Sequence, residues 1–173
     1  MSQLVITIVG EDRPGIVESL SGLVADNGGN WLSSSMSNLA GQFAGIIEIS
    51  VDAGKQDALA AAIRALPGLQ VHSVVAEAPV EVGKHPMAEL EAVGADHPGI
   101  VHRLTEILER AGVNLLQFAS WTEPAPNSGE ELFHAVAEFE LPPSVDLETL
   151  KGELEDVAED LAVDIELGLD EEG

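Results

Sequence analysis

One string occurs twice in the chain and constrains the fold more than any other feature. "GEDRPGIVESL" at residues 10–20 returns as "GADHPGIVHRL" at residues 94–104, an offset of 84, and Gly28 and Asn30 fall on Gly112 and Asn114 at that same offset. Each copy lies between a short apolar run and a longer amphipathic one. A chain of 173 residues therefore reads as two copies of one unit of about 80 to 90 residues. Units this small bury only about 60 to 65% of their unfolded surface, so the two are expected to pack together to complete a core.

Residues 4–9 are a β-branched apolar run, as a central strand requires, and Gly10 ends it. From Pro14 onward Ile16, Val17, Leu20, Leu23 and Val24 recur at helical spacing, and Asp26-Asn27-Gly28-Gly29 supplies the stop. "NWLSSSMSN" and "QFAGIIEISV" flank Leu39-Ala40-Gly41 as the arms of a hairpin. Residues 55–66 form a shorter helix broken by Pro67-Gly68, and "LQVHSVVAEA" alternates as a closing strand. The second half repeats this order: strand 88–93, helix 98–111, strands 114–122 and 131–141, helix 146–161 with acids at its positive end, and strand 162–167. An added loop, "EPAPNSGE" at 123–130, is rich in turn formers and is expected not to extend a strand. The implied domains are residues 1–80 and 87–168, with a linker at 81–86 and an acidic tail at 169–173.

A βαββαβ order with right-handed crossovers gives the ferredoxin-like split β-α-β, an α+β module with a four-stranded antiparallel sheet and both helices on one face. The chain should hold two in tandem. Free sheet edges leave the pairing of two chains into a homodimer open.

Composition excludes several functions. The absence of cysteine removes disulfides, thiolate metal sites and cysteine nucleophiles, as suits a reducing cytoplasm. The N-terminal "MSQLVITIVG" has no basic region, and its apolar run is too short for a signal peptide or a membrane span. A soluble cytoplasmic protein is expected. The net charge of -24 is uneven: residues 1–84 hold 4 basic and 9 acidic residues, and residues 85–173 hold 3 and 22. So few basic residues form no patch for a phosphate backbone, which argues against direct nucleic-acid binding. The acidic half reads either as a solvated face, kept for solubility or a salty cytoplasm, or as a surface for a basic protein.

No two of the five histidines stand three or four residues apart, so no metal site is expected. Ser33, Ser34 and Ser35 lack a nucleophile elbow and read as a polar strand. Trp31 and Trp121 read as packing or interface residues. The carboxylates of the last helix point outward with no pocket for acid–base work, and nothing demands an enzyme.

The repeated turn supports two readings. In the structural one, Asp12 and Asp96 cap the following helices, Pro14 and Pro98 sit where a missing N–H costs little, and Gly15 and Gly99 allow close strand–helix approach. In the functional one, a helix N-terminus after a strand presents free N–H groups to a carboxylate while the aspartate meets an ammonium, which suits a free amino acid. Both remain open on physical grounds.

"GEDRPGIV" and "GADHPGIV" after strand one, with "NGGN" and "AGVN" opening strand two, resemble the ACT domain, a small βαββαβ module that usually binds amino acids and regulates a partner. The resemblance spans residues 4–167. Two copies without a catalytic domain, and the long second hairpin "SWTEPAPNSGEE", are similar to the glycine cleavage system transcriptional repressor family. The resemblance implies a non-enzymatic regulator with no cofactor that contacts a DNA-binding activator in response to a small amino-acid effector, glycine. It implies ligand contacts at Asp12 with Asn30 and at Asp96 with Asn114, where two modules meet, joined by backbone groups of Arg13, Gly15, His97 and Gly99. Several amino-acid-binding members carry Asn in the turn and His two residues earlier, where this chain has Gly10 and Gly94; small residues there are expected to leave room. The expected partner surface is the acidic face of residues 146–160 with the 123–130 loop, including Glu123, Glu130, Glu131, Glu148, Glu155 and Glu159. A stand-alone regulatory subunit of an amino-acid metabolic enzyme, or an interaction module with unused ligand sites, fits the same residues.

Overall fold

The computed structural model describes residues 2–76, 85–126 and 129–169. The chain divides into two compact units, residues 1–80 and 81–173. The first runs β1 (Ser2–Glu11), α1 (Ile16–Asp26), β2 (Asn30–Leu39), β3 (Gln42–Val51), a 3-10 turn (Ala53–Lys55), α2 (Gln56–Arg64) and β4 (Leu69–Ala76). The second runs β5 (Met87–Ala95), α3 (Ile100–Arg110), β6 (Leu115–Pro124), β7 (Glu131–Glu140), α4 (Leu147–Leu161) and β8 (Val163–Leu169). The sheet orders are β2-β3-β1-β4 and β6-β7-β5-β8, every neighbouring pair antiparallel. This is the α+β ferredoxin-like arrangement, twice. Residues 81–84 of the expected linker and 170–173 of the expected tail lie outside the described residues; Leu169, placed in the tail by sequence, ends β8 opposite Ala88.

Alternation along β1 turns Leu4, Ile6 and Ile8 inward beside Ile47, Ile49 and Val51 of β3, all buried. The helices cover them with Ile16, Leu20 and Val24 of α1 and Leu59 and Ile63 of α2. Each such side chain contributes about 1.5 to 3 kcal/mol by leaving water. The second unit encloses its own cluster with a different fill: Ala92, Ala135 and Ala137 leave space that Phe133, Phe139 and the α3 residues Leu104, Ile107 and Leu108 occupy.

Several details differ from the sequence pattern. Both first helices begin after the proline, at Ile16 and Ile100, because the preceding glycines are left-handed, with φ of 88° at Gly15 and 102° at Gly99. The added loop also yields more strand than its turn formers imply: β6 continues through Glu123 and Pro124, which pairs with Glu131. A proline is tolerated there because β6 is an edge strand and needs no donor on its free side. Finally, β2 and β6 each carry a bulge at equivalent places, between Trp31 and Ser33 and between Leu115 and Gln117. Asp146 caps α4, accepting from the Thr149 N–H at 2.9 Å and its hydroxyl at 2.7 Å, and these bonds hold its carboxyl below the usual range. Among the described residues no helix is long and apolar enough to cross a membrane.

Candidate functional site

The repeated string forms the connection from first strand to first helix in each unit, and both connections are held at two points. The Asp12 N–H donates to the Gly41 carbonyl and the Asp96 N–H to the Glu131 carbonyl, both at 2.9 Å, so each turn leans on the hairpin of its own sheet. The next residue reaches the other way. Arg13 Nη2 donates to the Pro67 carbonyl at 2.8 Å, and His97 Nε2 lies 2.8 Å from the carbonyl of Leu161, the last residue of α4. These side chains, for which the sequence suggested only backbone roles, tie the turn to the chain just past α2 in the first unit and to the last residue of α4 in the second.

The expected capping roles are corrected. Neither α1 nor α3 receives a side-chain cap; the cap position belongs to Gly15 or Gly99, with the proline before it and the aspartate further upstream. The glycines are not there for close packing either, since an added Cβ meets nothing within 4 Å at either position. Their requirement is the positive φ that only glycine adopts freely. The first intrahelical bonds run from Ser19 N–H to Gly15 O at 2.9 Å and from Arg103 N–H to Gly99 O at 3.0 Å. The N–H groups of Ile16 to Glu18 and of Ile100 to His102 precede them, at the positive end of the helix dipole.

Gly10 and Gly94 do the opposite of leaving room. A Cβ at Gly10 meets Gly68 O at 2.3 Å, and one at Gly94 meets Val163 Cγ1 at 2.5 Å and Ala162 O at 2.7 Å. The strand after the second helix passes so close that a histidine at either position has no place in this backbone.

The two turns are not equivalent. In the first, Asn38 Nδ2 donates to Asp12 Oδ2, so the carboxylate is engaged by the β2–β3 hairpin. In the second, Asp96 accepts no side-chain hydrogen bond among the described residues, and lines an open depression with His97, Gly99, Ile100, Val101, His102 and Phe133. Asn30 and Asn114 stand elsewhere. Asn30 pairs with Ser50, itself opposite Gln3 at the start of β1, whereas Asp12 follows the far end of that strand; Asn114 precedes Leu115, whose partner Phe139 faces Ala88 at the start of β5. No single unit brings its aspartate and asparagine to one ligand.

The acidic residues expected to form one surface form two. Glu148, Glu155 and Glu159 are exposed on α4, whose buried residues pack on the inner sheet face. Glu123 instead lies 3.2 Å from His134 Nε2 on the outer face, with Glu130 and Glu131 following in the hairpin. Trp121 stacks on His134 with ring centroids 5.2 Å apart and remains 47% exposed. Sequence missed this stack because cross-strand partners depend on register. A larger cleft between α3 and α4 holds Arg103, Arg110, Asp146 and Glu153, and Arg103 lies 3.5 Å from Asp160.

His97 faces two carbonyls, Leu161 O at 2.8 Å and Pro98 O at 3.2 Å from its two ring nitrogens. Only imidazolium can donate to both, so these bonds, the Leu161 one foremost and Asp96 adding attraction, raise its pKa above 6.5. A raised folded-state pKa gives stability that is full below the unfolded value of about 6.5 and is lost as pH rises through the folded one. Melting curves of the wild type and His97→Gln should therefore differ most in mildly acidic buffer and converge in alkaline buffer; a constant gap would show that the charged form is not the one favoured.

Residues 2–73 match the ACT domain family model, nearly the whole first unit. The chain is 28% identical over 149 residues to the glycine cleavage system transcriptional repressors of Escherichia coli (strain K12) and of Shigella flexneri, covering 83% of this chain and 77% of each relative. Among solved structures, an unknown protein from Galdieria sulphuraria superposes with a TM-score of 0.83 at 31% identity, covering 98% of both chains. A crystal structure described as a candidate glycine cleavage system transcriptional repressor shares the fold at a TM-score of 0.67 and 21% identity, covering 98% of this chain and 97% of that one. The first unit matches the ACT domain, the second unit repeats its fold, and the chain resembles the glycine cleavage system transcriptional repressors.

Proposed function

We propose that the chain is a cytoplasmic, non-enzymatic regulator that senses a small amino acid, glycine by similarity to its relatives, and acts by contact with a DNA-binding activator. One observation carries the choice of site. Among the described residues Asp96 accepts no side-chain hydrogen bond and lies beside the helix-start N–H groups of Ile100 to His102, whereas the matching carboxylate of Asp12 is taken by Asn38. The second turn offers an anion acceptor and an ammonium acceptor side by side. A zwitterion satisfies both without adding net charge, while a plain anion is repelled by a chain of charge -24. The first turn serves mainly as structure. Scarcity of basic residues directs the output through protein contact, with the Glu123, Glu130 and Glu131 hairpin and the Glu148, Glu155 and Glu159 face of α4 as separate candidate surfaces.

Calorimetric titration with glycine, serine, alanine and the branched amino acids tests the reading. Saturable glycine binding is expected, weakened about tenfold or more by Asp96→Asn, since a hydrogen bond to a charged group is worth about 1.5 to 3 kcal/mol. Asp12→Asn should leave it nearly unchanged. Absence of binding by any amino acid, or equal losses in both variants, would reject the assignment.

A further inference from the structure

The residue after each aspartate sets the two repeats apart. In the first turn this is Arg13, whose guanidinium donates to the Pro67 carbonyl at 2.8 Å; in the second it is His97, with Leu161 O 2.8 Å from Nε2 and Pro98 O 3.2 Å from Nδ1. An arginine clamp is permanent, because guanidinium keeps its charge at any pH a protein meets. An imidazole clamp is not. Neutral imidazole carries one N–H, so loss of the proton turns a lone pair toward one of the two carbonyls and undoes that bond. The titratable clamp therefore holds the turn whose carboxylate accepts no side-chain hydrogen bond among the described residues, and the permanent one holds the turn whose carboxylate Asn38 occupies.

We infer that, given the sensing role proposed above, His97 is a positioning residue that links amino-acid binding at the second turn to a proton: binding is tight when the imidazole is charged and weaker when it is neutral. His97 and the helix-start residues Gly99 to His102 line one depression, so a change in the clamp reaches the N–H groups that would receive a carboxylate. A zwitterion brings no net charge and acts weakly on the imidazolium. The coupling passes through the geometry of the turn. With both carbonyls engaged the turn is fixed before the ligand arrives; with one released, only the fraction of molecules still in that arrangement binds, and the apparent dissociation constant rises in inverse proportion. The charged groups around His97 are Asp96 beside it, Glu131 of β7, whose carbonyl meets the Asp96 N–H, Asp160 of α4, 3.5 Å from Arg103, and Asp164 of β8. Carboxylates ordinarily change charge far below neutrality, which leaves His102 of α3 as the other imidazole at the depression.

The repeat supplies the test variant. The full chain is titrated calorimetrically with glycine, or with whichever of the amino acids above binds tightest, between about pH 5.5 and 8.5, in pairs of buffers of unlike ionisation enthalpy. The wild-type dissociation constant should rise about fivefold or more across the range, and the heats in paired buffers should differ through the proton taken up. His97→Arg imports the clamp of the first turn and should bind with an affinity that does not change with pH. His97→Gln, which donates but cannot charge, should stay at the weak level throughout, and His102→Gln should keep the pH dependence; circular dichroism checks folding of each. Wild-type binding that is flat in pH, or a pH dependence that survives both His97 variants, would overturn the inference and leave the sensing role standing. A dependence abolished by His102→Gln would overturn it by assigning the proton to the other imidazole. Binding of no amino acid at any pH would remove the sensing role and the proton link together.

Discussion

Gly94→Ala is expected to destabilise the second unit by about 3 kcal/mol, the upper part of the usual range for overpacking. The new Cβ would stand 2.7 Å from Ala162 O and from Val163 Cα, and 2.5 Å from Val163 Cγ1, so backbone as well as side chain must move. Gly10→Ala should cost as much, with Gly68 O at 2.3 Å. Denaturant unfolding measures both, and hydrogen exchange should place the Gly94 loss at the β5–β8 pairing. A near-neutral alanine at either position would mean that the strand after the second helix yields easily and that a bulkier residue fits there after all. Losing this contact would also disturb the clamp on the turn, because Ala162 and Val163 come straight after Leu161, whose carbonyl meets His97.

Truncating Phe139 should cost more still, about 3 to 5 kcal/mol for Phe139→Ala. The side chain is fully buried in β7, and its neighbours along the inner face are Ala135 and Ala137, too small to fill the space it would vacate. Domains of this kind are stable by about 5 to 15 kcal/mol, so the loss is a large part of what is available. Ile49 of β3 holds the corresponding place in the first sheet among larger aliphatic neighbours, and Ile49→Ala should cost less. Equal costs from guanidinium unfolding would show that the alanine-rich core collapses as readily as the aliphatic one.

The order of elements was legible because each has the right period and punctuation: alternating Leu4, Ile6 and Ile8, helical Leu150, Leu154 and Val157, glycines at the turns. The repeated string also marked the turn on which the candidate site is built. What escaped the sequence depends on through-space geometry. Asp12 looked like a cap because aspartate before a helix usually is one, yet a left-handed Gly15 moves the cap position past it and hands the carboxylate to Asn38. Gly10 and Gly94 looked like open space, but a glycine is equally a sign of a neighbour too close for a side chain, and only coordinates distinguish the two. Asn30 lay near Asp12 in the expected site and falls at the other end of its own sheet, because the helix between them carries the chain back along the full length of the strand. Pro124 suggested a loop until β6 proved to be an edge.

The bulge that recurs at Trp31–Ser33 and Leu115–Gln117 bears on solubility. β2 and β6 would otherwise be ten-residue edges with a continuous row of unpaired backbone groups, the template from which strands of many chains can add without limit. One extra residue breaks the ladder and increases the local twist, so an incoming strand cannot stay in register along the whole edge. Growth by edge addition is thereby discouraged in both repeats.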